Sequence, residues 1–428
     1  MTTILILLTA TLFVGMPVAF AFGLSSIFAL MYDGYGLLNV ASRMFAGLDS
    51  FVLLAAPFYI LAGEIMNRGG ISERLIELSR ILIGRIKGGT AYAAIVAAVL
   101  FSGISGTAVA DIAALGHIFI NAMPKEGYSK AFAAALITAA SVIGPIIPPS
   151  VIMVLYAAVA DISVLNLFLA GVVPGLLLGV ACGGVVFWKG IRGELPVSQL
   201  DVPRERYGSI AREGAIVLSL PGFIVFGTTS GVFTPTEAGG IAVIYAIILS
   251  TFVFRSLDRK GAMLALRNAA RLTASLFLLI ATVEIVNYVL IMAGIGEWTA
   301  GLAIAFADSP NLFMIVCVVV FLLIGLALDA GPALLLLAPF LLPVTRQMGI
   351  DDIHFSMVMI VCCTLGLISP PVGICLFVAC KIGNLTLRQL WHELRWFFYA
   401  QIVAIFVMVY FPILSTGLPR LVRGYGGG

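Results

Sequence analysis

The amino-acid sequence predicts an all-α polytopic membrane protein built from two inverted-topology repeats, and three observations support this fold class. Of its 428 residues, 61% are hydrophobic and only 11% are charged, whereas a soluble domain carries about 25% charged residues. The basic residues form a few clusters separated by long apolar stretches. A proline-containing motif of the first half recurs in the second half. The formal net charge of +3 supplies no basic field for a nucleic acid, so nucleic-acid binding is excluded.

The clusters of basic residues predict which loops face the cytoplasm. The segments 68–87, 189–212 and 255–271 hold five basic residues each, and the positive-inside rule places such loops on the cytoplasmic side. The smaller groups at 125–130 and 381–395 are expected to join them.

The apolar stretches between these clusters are long enough to cross a hydrocarbon core of about 30 Å, which takes about 20 helical residues. The first stretch is interpreted as a retained span rather than a signal peptide, because no Lys or Arg precedes it and it is too long for a signal-peptide core. Nine crossings predict a cytoplasmic N-terminus and a periplasmic C-terminus. The predicted spans are 4–31, 51–67, 131–157, 165–188, 214–229, 232–254, 272–291, 355–380 and 397–417.

Two further apolar stretches, 89–124 and 311–345, each start and end on the same side of the membrane. Both are predicted to be re-entrant helical hairpins, because a turn inside the bilayer is tolerated where protein or a water-filled cavity satisfies its backbone. The segment 74–87 alternates charged and apolar residues with helical periodicity. It is expected to lie along the cytoplasmic interface as an arm helix.

An internal repeat relates the two halves of the chain. With a shift of 222 residues, the segment 144–150 (GPIIPPS) falls on 366–372 (GLISPPV), and Gly103 falls on Gly325. The equivalent loops differ in charge, because 68–87 holds five basic residues and its counterpart 292–311 holds none. The two halves are therefore predicted to lie upside down relative to each other. Inverted repeats with helices broken near the midplane are typical of secondary transporters.

The repeated prolines predict where the broken helices can bind a ligand. Proline has no N–H to donate to the carbonyl four residues earlier, so free carbonyls are expected at Gly144 and Pro145, and at Gly366 and Leu367. Together with hydroxyl groups they suit a hard monovalent cation such as Na⁺, and half-helix N-termini in the same cavity favour an anion. Two alternatives stay open: plain kinks with close helix packing, and serines that bond back to their own helix. The hydroxyl candidates are Ser102, Ser105 and Ser369.

Three acidic residues lie deep in the predicted membrane region or at the entrance of a span, where ionisable groups are costly and are candidates for function. Asp111 and Asp329 follow the hairpin turns, and Glu237 lies at the entrance of a span. Asp329 is equivalent to Thr107 in the repeat, so Asp329, Thr107 and Ser150 are candidates for lining the substrate cavity. Asp111 and Glu237 are structural or coupling candidates, with helix capping as likely a role as direct ligation.

Four motifs together resemble the large membrane subunit of tripartite ATP-independent periplasmic (TRAP) transporters, the DctM type. The resemblance extends from Gly15 to Pro412, which is nearly the whole chain. The motifs lie at 101–111 (FSGISGTAVAD), 144–150 (GPIIPPS), 234–239 (TPTEAG) and 328–332 (LDAGP).

The resemblance implies an elevator-type Na⁺ symporter with at least two Na⁺ sites. One site would use Ser102, Ser105, Gly144, Ile147 and Pro149. The other would use Gly325, Gly366, Ser369 and Val372. The second site departs from the first, because Ile324 and Ala327 stand where the first has Ser102 and Ser105, so its coordination depends more on backbone carbonyls.

The resemblance also implies partners, a location and a domain division. The partners are a separate small four-helix membrane subunit and a soluble periplasmic protein that delivers an organic acid anion, such as a dicarboxylate or sialic acid. The location is the bacterial inner membrane. Transport-domain repeats are expected at 89–160 and 311–381, and scaffold at 1–88 with the first arm, 161–310 with the second arm, and 382–428.

Three rival functions compete with this interpretation. The first is a stand-alone Na⁺/organic anion symporter that takes its substrate directly from solution. The second, an intramembrane enzyme, lacks its constellation: His392-Glu393 is not followed by the second His of HExxH, because Trp396 stands there. The third, a channel, would show conductance far above the turnover of a transporter. The sequence does not identify the organic anion.

Overall fold

Helices account for the whole architecture, as the computed structural model shows for residues 2–36, 38–83, 86–197 and 203–423. Within these ranges the chain forms no β-sheet, and only an isolated bridge pairs Lys87 with Val197. The all-α prediction is therefore confirmed. The α-helices, in chain order, are α1 (Thr2–Phe13), α2 (Val18–Tyr32), α3 (Leu38–Leu48), α4 (Ala55–Arg68), α5 (Ile71–Ile83), α6 (Gly89–Ser105), α7 (Ala108–Ala122), α8 (Lys130–Ser141), α9 (Val151–Ala160), α10 (Val164–Ile191), α11 (Tyr207–Thr229), α12 (Pro235–Ile248), α13 (Arg259–Met292), α14 (Ile295–Ala305), α15 (Pro310–Ala327), α16 (Ala330–Gln347), α17 (Asp352–Gly366), α18 (Ile374–Gly383), α19 (Leu387–Tyr410) and α20 (Ile413–Arg423).

The first predicted span, 4–31, is wrong as a single helix. It consists of α1 and α2, which pack against each other as a hairpin. The chain turns at Gly15, whose φ of +84° is left-handed, and Pro17 supplies no N–H to continue α1. Because this stretch is no longer one crossing, the count of nine crossings loses its basis, and the predicted orientation of the termini stays a prediction.

Six long helical segments agree with predicted spans. By length and composition, six helices within the described residues could cross a membrane. They match the predictions at 51–67, 165–188, 214–229, 232–254 and 272–291, and the first part of 397–417. This last prediction runs too far, because α19 ends at Tyr410 and a separate helix, α20, begins after Pro412.

Both predicted hairpins are present as helix pairs. The pair α6–α7 turns at Gly106 and Thr107, and the pair α15–α16 turns at Leu328 and Asp329. Gly106 has a φ of +64°, which glycine adopts without steric cost. Whether the turns re-enter the bilayer stays a prediction.

Both predicted broken helices are also present. Residues 142–150 separate α8 from α9, and residues 367–373 separate α17 from α18. The peptide bonds Pro148–Pro149 and Pro370–Pro371 are cis. The repeat extends beyond the breaks, because Asp161 and Asn384 both adopt left-handed conformations, and Ser163 and Thr386 then cap α10 and α19. Each helix from α5 to α10 thus has a counterpart among α14 to α19.

Helix packing separates two groups. In the first group, α2, α3, α4 and α12 pack against one another or against the long helix α13. In the second, the hairpins pack with the broken helices, and α10 and α19 join them through contacts with α6, α8 and α17. The sequence-based division assigned α10 and α19 to the scaffold, but their contacts associate them with the hairpins. The arm helices α5 and α14 lie against α6 and α16.

Candidate ion and substrate site

The turn of the first hairpin lies directly on the first break. A Cβ added to Gly103 would lie 3.2 Å from the carbonyl oxygen of Pro148, and one added to Gly106 would lie 3.2 Å from the amide nitrogen of Val151. At these distances an added Cβ would force the neighbouring backbone to shift by a few tenths of an ångström, and glycine avoids this shift. The backbone oxygens of the break and the end of α6 therefore border the same small volume.

Bare carbonyl oxygens remain in the first break. Within the described part of the chain, no backbone amide donates to the carbonyls of Gly144, Ile147 or Pro149. The Pro145 carbonyl differs from the expectation, because the Ser150 hydroxyl donates to it at 2.6 Å. Three of the five predicted ligands of the first Na⁺ site thus present free oxygens.

The two predicted serine ligands behave differently. Ser102 is buried and donates its hydroxyl to the carbonyl of Val99 at 2.6 Å, so the back-bonding alternative describes its present state. Its oxygen keeps lone pairs for a cation. The side chain of Ser105 lies outside the described residues, although its backbone ends α6.

An acidic side chain adjoins the first break. Asp111 is fully buried in the first turn of α7, and its carboxylate lies against Gly144, where an added Cβ would collide with Oδ2. The sequence placed Asp111 only beyond the hairpin turn. The structure brings its carboxyl group next to a predicted Na⁺ ligand.

Helix α10 also packs against the first break. A Cβ on Gly171 would collide with the carbonyl oxygen of Ile146, and one on Gly175 would collide with the side chain of Ile147. Sequence reasoning missed these glycines. Their spacing of four residues on one helix face, a small-xxx-small pattern, is the signal that could have found them.

In the second half, the hairpin and the broken helix cross at two glycines. A Cβ on Gly366 would lie 2.5 Å from the Cα of Gly325, and a Cβ on Gly325 would lie 2.6 Å from the carbonyl oxygen of Cys363. The predicted site residues Gly325 and Gly366 therefore touch, backbone against backbone. This contact is the counterpart of the approach of Gly103 to the first break.

The second break is more tightly hydrogen-bonded than expected. The carbonyl of Gly366 accepts a bond from the Ser369 amide at 3.0 Å, and that of Leu367 accepts from the Cys375 amide at 3.2 Å. The expectation that proline leaves these two oxygens bare is wrong, because the segment winds into turns that supply other donors. Ser369 donates its hydroxyl to Leu365 at 3.3 Å. The exposed Val372 carbonyl receives no bond from a described backbone amide.

The three candidates for the substrate cavity are all N-caps. Thr107 accepts from the Ala110 amide at 3.4 Å, Ser150 from the Met153 amide at 3.3 Å, and Asp329 from the Ala330 amide at 2.8 Å. They therefore mark the positive ends of α7, α9 and α16. The carboxylate of Asp329 offsets the positive end of α16, and Asp111 lies in the first turn of α7. The first turn of α9 has no acidic residue, so its positive end is available to an anion.

Glu237 is a helix-capping residue at the start of α12. Its carboxylate accepts from the Thr234 amide at 2.8 Å, and its own amide donates to the Thr234 hydroxyl at 3.2 Å. This reciprocal arrangement is a capping box that starts α12. The structure does not bring Glu237 into contact with either break.

A small pocket separates the first hairpin from the neighbouring helix group. Gly103, Gly106, Pro149 and Val151 line it on one side. Its opposite wall comes from α4, α11 and α12, and includes Tyr59, Met66, Leu220 and Ala242. The lining is mostly apolar.

The donor set fits a monovalent cation better than a transition metal. Across the described residues, no group of three or more His, Cys, Asp or Glu side chains could hold a metal ion. Neutral carbonyl and hydroxyl oxygens with one nearby carboxylate are hard ligands of low total charge. Na⁺ fits this chemistry.

Two buried polar contacts connect the repeats and were not foreseen. The Ser356 hydroxyl in α17 donates to the Tyr156 hydroxyl in α9 at 3.0 Å. The Gln401 amide in α19 donates to the carbonyl of Ala139 in α8 at 2.9 Å. A glutamine within an apolar span is itself a signal of function or bracing.

A family profile matches residues 5–414, and its description is "Tripartite ATP-independent periplasmic transporter, DctM component". The chain is 36% identical to the 2,3-diketo-L-gulonate TRAP transporter large permease protein YiaN of Escherichia coli, over 87% of this chain and 88% of that protein. It is 33% identical to the sialic acid TRAP transporter large permease protein SiaM of Vibrio cholerae, over 97% of each chain. It is 35% identical to the C4-dicarboxylate TRAP transporter large permease protein DctM of Pseudomonas aeruginosa, over 91% of each chain.

Two solved structures share the fold. The YdaH transporter of Alcanivorax borkumensis superposes with a TM-score of 0.63 at 15% identity, over 90% of this chain and 88% of that chain. MtrF of Neisseria gonorrhoeae, described among antimetabolite efflux pumps, superposes with a TM-score of 0.57 at 14% identity, over 89% of this chain and 85% of that chain. At this identity the likeness concerns the architecture alone.

Proposed function

Because the chain belongs to the DctM family of TRAP transporter components, we propose that it imports an organic acid anion together with Na⁺ by an elevator mechanism. Family membership makes it a multi-pass membrane transport subunit rather than an enzyme. The family also implies a small membrane subunit and a periplasmic binding protein as partners. In our proposal the periplasmic protein captures the anion and delivers it to the cavity between the two repeats.

One observation carries the Na⁺ part of this proposal. In both repeats a glycine of a hairpin meets the backbone of a proline-broken helix, at Gly103 with Pro148 and at Gly325 with Gly366. In the first repeat this contact lies beside carbonyl oxygens that no described backbone amide occupies. The first hairpin then shares an oxygen-lined volume with its break, and a Na⁺ held there would join the two elements.

The anion part follows from the helix ends. The N-terminus of α9 is capped by the hydroxyl of Ser150 and has no acidic residue in its first turn, so its positive end remains uncompensated, whereas the first turn of α7 contains Asp111. An organic carboxylate at the N-terminus of α9 would gain a favourable interaction with the helix dipole. The same arrangement would couple the ligands, because the Gly144 carbonyl lies in the break that leads into α9.

Two Na⁺ sites would give a strong driving force. Each positive charge that moves with the membrane potential is worth about 2.3 kcal/mol per 100 mV. Co-transport of two or more Na⁺ with one anion would therefore concentrate the substrate without ATP.

Uptake by proteoliposomes tests the proposal. The chain, its small subunit and the binding protein are reconstituted with a labelled organic acid, which is chosen by thermal shift of the binding protein against a panel of acids. We expect uptake only with an inward Na⁺ gradient and only with the loaded binding protein. Uptake without the binding protein would support the stand-alone symporter instead. Uptake that does not depend on the Na⁺ gradient would contradict coupling to Na⁺.

A further inference from the structure

A groove on the outer surface lies between α10 and α19, at the C-terminal end of α10 and the N-terminal half of α19. We call it the Trp groove and define it by Ala181, Gly184, Val185, Trp188, Trp396 and Ala400, which line it. The two indole rings lie 5.0 Å apart. A Cβ on Gly184 would meet no atom within 4 Å, so the floor of the groove is open.

Two guanidinium groups stack on the two indoles. Arg192 lies over the ring of Trp188 at 3.9 Å, and Arg395 lies over the ring of Trp396 at 5.1 Å. Each indole therefore carries one guanidinium, and the two ring planes are inclined to each other by 51°. A guanidinium held over an aromatic ring can still use its N–H edge to bind a phosphate.

The carboxylates nearby are engaged elsewhere. Lys189 is buried and pairs with Glu194 at 2.8 Å and with Glu393 at 3.0 Å. Its ammonium lowers the pKa of the Glu194 carboxyl below the ordinary value. Within the part of the chain that the structure describes, neither Arg192 nor Arg395 forms an ion pair, and the buried Nε of Arg395 makes no hydrogen bond.

The position of the stack matches a membrane interface. Tryptophans concentrate at the level of the headgroups, and both helix ends lie in basic clusters that the positive-inside rule assigns to the cytoplasm. The cytoplasmic leaflet carries the anionic lipids that basic juxtamembrane residues attract. The small residues of the groove run from this level towards the apolar part of α10 and α19.

We propose that the Trp groove binds one anionic glycerophospholipid, with its phosphate at the guanidinium edges beside the two indoles and an acyl chain along Ala181, Gly184 and Ala400. The groove lies where α10 and α19, the equivalent helices of the two repeats, meet. A bound lipid would therefore seal the junction of the repeats on the cytoplasmic side. This site is separate from the hairpins and breaks that serve the proposed transport.

Lipid titration of the full chain, purified in detergent, tests the proposal by native mass spectrometry. We expect phosphatidylglycerol to bind more tightly than phosphatidylcholine of the same acyl chains. The double variant R192Q/R395Q should bind phosphatidylglycerol about thirtyfold more weakly. This factor is the loss of affinity expected when two basic residues at the membrane interface no longer attract an anionic lipid. The matched control R255Q/R388Q removes the same charge from the same side of the membrane and should bind as the parent does.

A second variant separates the contribution of the acyl-chain contacts from that of the arginine charges. Gly184→Leu places a side chain in the groove from a position where an added Cβ meets no atom within 4 Å, and it keeps both arginines, so it should lose the preference for phosphatidylglycerol. Equal affinity for both lipids in the parent, equal losses in the double variant and its control, or unchanged binding by Gly184→Leu would each overturn the proposal. Displacement of the lipid by millimolar inorganic phosphate would also overturn it, because the site would then be a soluble-anion site.

Discussion

The Asp111 carboxylate contacts Gly144 inside the first break, and this contact leads to a prediction about Na⁺ affinity. A unit charge about 8 Å from a bound ion contributes about 2 kcal/mol at an effective dielectric constant of 20. Asp111→Asn keeps the shape and removes the charge. We therefore expect about thirtyfold more Na⁺ to be needed for half-maximal uptake, measured in proteoliposomes with a Na⁺ titration.

The control for this variant is Glu64→Gln, which removes a carboxylate outside the site. This carboxylate accepts a hydrogen bond from the side-chain amide of Asn268 at 3.1 Å. Its Na⁺ requirement should equal that of the parent. If Asp111→Asn also shows the parental Na⁺ requirement, the first break does not hold the coupled ion.

Glu237 gives a second prediction, which separates capping from coupling. Glu237→Gln keeps an oxygen that can accept from the Thr234 amide, so the capping box can persist. We expect its Tm and its uptake per folded protein to match those of the parent. Glu237→Ala should lower Tm by a few degrees and leave the Na⁺ dependence unchanged. A loss of Na⁺ dependence in Glu237→Gln would show that Glu237 takes part in coupling.

The crossing of α15 and α17 predicts the effect of one added methyl group. Gly366→Ala places Cβ 2.5 Å from the Cα of Gly325, and backbone cannot yield as a side chain can. Overpacking of this kind costs about 1–3 kcal/mol. We expect loss of Na⁺-dependent uptake, and loss of the rise in Tm that Na⁺ confers on the parent by binding the folded state.

Gly301→Ala in α14 is the matched control, because its added Cβ meets no atom within 4 Å. This variant should retain both the uptake and the Na⁺-dependent rise in Tm. Parental behaviour of Gly366→Ala would show that the approach of the two backbones is not needed for the second site.

The two helix groups lead to a prediction about their relative motion. Ala62 of α4 and Val151 of α9 line the same small pocket between the groups. If the hairpin group slides past the other group, a disulfide between Ala62→Cys and Val151→Cys should stop uptake, and a reductant should restore it. The single-cysteine variants should be unaffected by oxidant. The measurement is uptake before and after reduction in proteoliposomes.

A disulfide between α1 and α2, which pack as a helix pair, is the control for this experiment. The hydroxyl oxygens of Thr11 and Ser25 lie 3.3 Å apart, so Thr11→Cys with Ser25→Cys should cross-link without blocking transport. Full uptake by the cross-linked Ala62/Val151 pair would exclude an elevator motion between these groups.

The sequence by itself determined the helical membrane class, the two hairpins, the two breaks and their repetition. These features follow from local chemistry, because apolar length, missing proline N–H groups and glycine turns act within a few residues of the chain. The exceptions are local as well: the interruption at Gly15 and Pro17 was hidden inside a long apolar run, and the end of α19 before Pro412 was overlooked.

Only the tertiary structure decided which oxygens and charges meet. Gly325 and Gly366 are 41 positions apart in the chain, and Asp111 reaches Gly144 from another helix, so no local pattern records either contact. Hydrogen bonds across the second break likewise occupy the Gly366 and Leu367 carbonyls, which the prolines alone would leave bare. Proline removes a donor at a known position, but the packed chain determines whether another donor takes its place.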